Sequence, residues 1–112
     1  MRILSFNQKW PKLQQSQFTT FRFPRKDRDW QVGEIVKVVF KSRSKEREIL
    51  GIAKIIEVHS RCGIGNITTD EAIMDGFNDW LDMWKWFKKA HSFRPLFQDT
   101  INKLTLRWQP AS

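Results

Sequence analysis

The chain has 112 residues, which fits one domain and one core rather than several. Twenty Lys and Arg face twelve Asp and Glu, a formal charge of +8, and 40% of the residues are apolar. The single Cys62 excludes an internal disulfide, there is no run of about 18 apolar residues for a transmembrane helix, and the N-terminus lacks a signal-peptide pattern. These readings predict a soluble, cytoplasmic protein of residues 1–112. The basic excess suits an acidic partner such as RNA, DNA or a nucleotide, with solubility as the plainer explanation. Six Trp and nine Phe supply the burial area for a small core.

In chain order, Arg2 to Phe6 reads as a first strand. Pro11 to Gln17 is polar and suits a short helix, with Pro11 in its first turn and Leu13 as its apolar anchor. Phe18 to Phe23 is rich in β-branched and aromatic residues and predicts a strand with Phe21 and Phe23 on one face, Thr20 and Arg22 on the other. A charged loop, Pro24 to Asp29, precedes Trp30-Gln31-Val32-Gly33-Glu34, a turn that feeds a strand over Glu34 to Lys41. Ile49 to Val58 pairs with it as a hairpin, where Gly51 and Ala53 permit a bulge or a close backbone approach.

After Gly63 and Gly65, read as a turn, the pattern becomes helical. Thr68 followed by Glu71 is a capping-box spacing, and a short helix ends at Gly76. Asn78 suits the N-cap of a second helix through Ala90. Its apolar stripe holds Trp80, Met83, Trp84, Phe87 and Ala90, and Trp86 falls beside the polar face with Lys85 and Lys89. Trp86 either packs against a loop or offers a ring on which a base stacks. Asn102 to Trp108 alternates as a last strand.

Three segments carry a resemblance to a known family: Gln17-Phe18-Thr19-Thr20-Phe21-Arg22, the Trp30 to Glu34 turn, and Thr68 to Phe77 with Ala72, Asp75, Gly76 and Phe77. In order and spacing they resemble the ASCH family, which is similar in fold to PUA domains. The resemblance implies an α+β fold: a PUA-like mixed barrel of about five to six strands with flanking helices. It also implies RNA or nucleotide binding in a basic cleft beside the barrel. Some small bacterial members are amidohydrolases of N4-acetylcytidine, with chemistry attributed to Lys, Thr and Glu. The matching positions here are Gln17, Thr20 and Asp75. A glutamine amide is neither an amine nucleophile nor a titrating base. Lys12 or Lys26 stands in only if the fold swings one into the cleft, and nothing in the sequence puts either there.

The ligand-binding set expected in the cleft is therefore Gln17, Thr20, Arg22 and Asp75, with Thr20 and Asp75 as catalytic candidates. A competing reading makes Arg22 and Asp75 a structural ion pair. Arg25, Lys26 and Arg28 in one loop, and Lys41, Arg43 and Lys45 in another, are candidates for phosphate contact alongside Trp86, or are solvated loops. Lys41, Arg43 and Lys45 project together if the strand continues through them. His59, Cys62 and His91 lack the second matched pair of a zinc site, and no metal or cofactor is expected. Two functions outside binding stay open: the amidohydrolase, and a protein-interaction module built on Trp86.

Overall fold

A computed structural model describes residues 1–110. Five strands, β1 (Arg2–Phe6), β2 (Gln17–Arg22), β3 (Ile35–Phe40), β4 (Glu48–Cys62) and β5 (Thr100–Trp108), form one mixed sheet in the order β1-β3-β4-β5-β2. Only β1 and β3 run parallel; the other neighbours are antiparallel. The α+β class and strand number agree with the sequence reading. Closure does not: β1 and β2 are the two edges, and no ladder joins them, so the sheet is open rather than a barrel.

The β3–β4 hairpin forms as its alternation predicts, with a register break between Val38 and Val39 that leaves Leu50 as the extra residue. Gly51, beside it, leaves room for Trp108: a Cβ there would stand 3.0 Å from the indole. β4 runs to Cys62, beyond the expected Val58, because β5 pairs with it as far as Thr100. Lys41, by contrast, turns at φ 46° and ends β3, so Lys41, Arg43 and Lys45 do not share a strand face.

Two apolar clusters form. One, on the inner side of the sheet, holds Leu4, Phe6, Phe18, Val36, Ile55, Leu104 and Leu106. The other joins Phe21 and Ile101 to helices α1 (Thr69–Asp75) and α2 (Trp80–Ala90) through Ala72, Phe77, Met83 and Phe87. Residues alternate between these clusters along β2, Phe18 to the first and Phe21 to the second, as the period of a strand requires.

The helix ends follow side-chain chemistry. Thr68 and Glu71 form the reciprocal capping box, and Gly76 closes α1 in the left-handed region at φ 116°. The cap of α2 is Asp79 rather than Asn78; its carboxylate accepts from the Asp82 N–H at 2.7 Å. Glu71 also ties α1 to the sheet through Arg61 of β4 at 2.7 Å and Lys103 of β5 at 3.1 Å.

The Trp-x-x-Gly-Glu turn is a clamp. Arg2 makes two 2.6 Å hydrogen bonds to Glu34, donates to backbone carbonyls of Arg28 and Asp29, and lies 4.4 Å above the buried Trp30 ring. Asn102, fully buried on β5, donates to the Asp29 carboxylate at 2.9 Å. The charged loop from Pro24 to Asp29 is thus pinned at its C-terminal end.

A Cβ at Gly76 would meet the Trp10 ring at 2.8 Å, whereas one at Gly33, also at positive φ, meets nothing within 4 Å. Gly33→Ala therefore isolates backbone strain, about 1 kcal/mol, and Gly76→Ala adds a collision, for about 2 kcal/mol or more. Denaturant unfolding of the two variants should show the larger loss at position 76.

Candidate functional site

The two unpaired sheet edges face each other across a cleft of about 820 Å³. Ser5 and Phe6 of β1 line one side, and Thr20, Phe21, Arg22 and the following Phe23 line the other. Consecutive residues of β2 contribute, from both faces of the strand, so the cleft runs along its open edge. Trp10, Phe77, Trp86 and Phe87 add aromatic walls. This volume falls in the range of small-molecule sites.

A lysine sits at the heart of the wall. The segment Pro11–Gln14 forms a single 3₁₀ turn, as Pro11 predicts. Its buried side chain is Lys12, at 6% exposure, and not Leu13, which is half-buried. The Lys12 ammonium lies 3.2 Å from the Asp75 carboxylate and within about 5.5 Å of the Phe6 and Trp10 rings. Lys12 thus enters the cleft, against the sequence expectation. Its burial depends on a carboxylate from the far end of α1, a long-range partner that a polar segment does not reveal by itself. Lys26 does not line the cleft.

Asp75, 5% exposed, also accepts a hydrogen bond from the Thr19 hydroxyl at 3.0 Å. Burial pushes its carboxyl up from 3.8 to about 6, against the opposing pull of Lys12, Thr19 and Arg22. Burial also pulls the Lys12 amine down, with Asp75 resisting. The proton affinities of acid and amine are thereby drawn towards each other, which suits a pair that moves a proton.

Thr20 and Arg22 complete the wall. The Arg22 Nε–H donates to the Thr20 hydroxyl at 3.2 Å, and the guanidinium lies 4.7 Å over the Phe6 ring. Among the described residues no carboxylate comes within 4.0 Å of it, so the Arg22–Asp75 ion pair does not form; Lys12 takes that place. Desolvation lowers the Arg22 guanidinium to about 10, with Asp75 opposing at longer range. This charge is held in an aromatic cleft, and among the described residues only its Nε makes a hydrogen bond. The indole N–H of Trp30, another lining residue, is buried without an acceptor among the described residues.

Gln17 lies elsewhere. It is exposed at the start of β2, where its side-chain oxygen accepts from Arg107 at 3.5 Å, and it does not line the cleft. Trp86 is both packed and partly open. It packs on Trp10 and Phe77 at 6.3 and 5.9 Å, yet remains 38% exposed on the cleft rim. His91 shares that rim, its imidazole held below its usual range by burial and by Arg94 and Arg22.

Of the basic loop residues, only Arg25 reaches the cleft. Lys41 and Arg43 line an adjoining hollow with it, while Lys26, Arg28 and Lys45 line neither; Arg28 is directed to Glu34 at 3.6 Å. Among the described residues no three His, Cys, Asp or Glu gather as a metal site, and no helix is long and apolar enough to cross a membrane.

Comparison with family models, curated proteins and solved structures returns no match to this chain.

The raised Asp75 carboxyl has a defined effect on stability. Between about 3.8 and 6 the native state holds a proton that the unfolded chain releases, so this stabilisation is complete at low pH and is lost as pH rises through 6. Asp75→Asn removes the titration. The melting temperature of the parent should fall relative to that of Asp75→Asn as pH is raised across that interval, read by thermal denaturation in matched buffers.

Proposed function

We propose that this protein binds RNA or a nucleotide, seating a base in the cleft between β1 and β2, in the manner implied by its resemblance to ASCH and PUA-like domains. One observation carries the reading: Arg22 presents a guanidinium inside an aromatic cleft with no carboxylate within 4.0 Å among the described residues. Such a group suits a ligand that combines a flat ring with oxygen acceptors. A base meets this description, since its face packs on Trp86 or Trp10 and its carbonyl takes a guanidinium fork. The Lys12–Asp75 pair and the Thr20 hydroxyl supply donors and acceptors on the same wall. The +8 charge adds a general attraction for the phosphate backbone.

Binding is tested by titrating nucleosides, nucleotides and short single-stranded RNA and following tryptophan fluorescence. Arg22→Met should weaken the base-dependent component by about tenfold or more, the worth of a charge-assisted hydrogen bond. Affinity for RNA should fall steeply with added salt. Absence of any nucleoside, nucleotide or RNA binding at low salt overturns the reading.

The second reading, an amidohydrolase of N4-acetylcytidine-like nucleosides, gains from Lys12. The amine missing at Gln17 is supplied from the 3₁₀ turn, beside Asp75 and on the same cleft as Thr20. In this reading the pair takes a proton from a water that attacks the acyl carbon. It returns the proton to the nitrogen as the amide bond breaks, leaving a carboxylic acid and the free exocyclic amine. Incubation with N4-acetylcytidine should release cytidine. Lys12→Met and Asp75→Asn should each abolish turnover, provided circular dichroism shows them folded. Equal release by the parent and both variants removes the hydrolase and leaves the binding reading in force.

A further inference from the structure

The cleft does not end at Arg25. A second hollow, of about 850 Å³, opens beside it and shares Ser5, Asn7 and Arg25 with it. Its outer wall is the turn after β3, with Lys41, Ser42, Arg43 and Ser44. The positive φ of Lys41 reverses the chain here, and its N–H donates to the Phe6 carbonyl at 2.8 Å. That bond lays the turn against the end of β1. The Ser42 N–H reaches the Ser5 hydroxyl at 3.4 Å, which fixes the floor between the two hollows.

The lining carries three cations, three hydroxyls and no carboxylate. Lys41 pairs with Glu46 and Arg25 with Asp27, both at exposed positions where solvent screens the attraction. Arg43 has no acidic partner among the described residues. Hydroxyls beside cations, with no carboxylate in the lining itself and only solvent-screened partners outside it, suit a phosphate group. Arg25 lines both spaces and lies 5.6 Å over the Trp30 ring, so it spans the join.

We infer that this hollow is a phosphate seat continuous with the base-binding cleft, so that the ligand is a phosphorylated nucleotide, free or within a strand, rather than a free nucleoside. The inference rests on the base-binding reading and specifies the ligand of that site. It also separates the basic residues by role. Arg25, Lys41 and Arg43 contact the phosphate, and Lys26, Arg28 and Lys45 contribute only to the general field.

The test is calorimetric titration of the four ribonucleosides, their 5′- and 3′-monophosphates, a single-stranded RNA hexamer and inorganic phosphate. The parent chain is compared with a Lys41→Gln, Arg43→Gln double variant. Both side chains sit on an exposed turn outside the apolar clusters, so the substitutions leave the core intact. For the nucleoside that binds, one of its monophosphates should bind about tenfold tighter or more. The double variant should erase that gain and leave the nucleoside affinity unchanged. A hexamer tighter than the monophosphate assigns the seat to a strand, and equal affinity assigns it to a free nucleotide. A monophosphate no tighter than its nucleoside overturns the seat while base binding stands, as does a variant that weakens both equally. If neither nucleosides nor nucleotides bind, base binding fails and the seat falls with it.

Discussion

The buried pair of Lys12 and Asp75 is the constraint on which the cleft depends. It joins three parts of the chain that no backbone ladder connects: the 3₁₀ turn, the last residue of α1 and, through Thr19, the edge strand β2. Neither charge is tolerable alone at that depth, because the desolvation of each is offset chiefly by the other. Removing one partner leaves the other stranded, so the turn, the helix end and the strand edge hold their places together. Trp10, next to Lys12, packs against Phe77 and Trp86 and becomes a wall of the cleft as a result.

A similar economy governs the other acids. Glu34 is consumed by Arg2, Glu71 by Arg61 and Lys103, Asp99 by Arg94, and Asp29 by Asn102. Each fixes a loop or a helix end. Carboxylates in this protein serve largely as internal ties, which leaves Arg22 and Arg43 without acidic partners among the described residues.

Features set by near neighbours along the chain are legible in the sequence. The Thr68–Glu71 spacing, the Gly76 terminus, Pro11 in a first turn and the alternation of β3 each depend on residues within one or two turns. Asn78 and Asp79 are chemically near-equivalent caps, so only the backbone direction decides between them. The length of β4 is hidden because His59 to Cys62 lack an apolar rhythm and owe their extended form to pairing with β5. Lys12 is hidden for the same reason on a larger scale. A lysine in a polar stretch reads as solvated until a distant carboxylate is folded onto it. Whether the sheet closes is a matter of accumulated curvature, which no single motif encodes. The expected class and strand number therefore hold, while the expected closure does not.

No ladder joins β1 to β2; across the seam lie the Phe6–Phe18 edge contact and Arg22 and Lys12 over Phe6. Widening it breaks no ladder hydrogen bond of the sheet. A guest can therefore enter past the partly exposed side chains of the rim, such as Trp86 and Arg22, while every rung of the sheet stays intact. Had a ladder joined β1 to β2, a guest lodged between them would have had to break it.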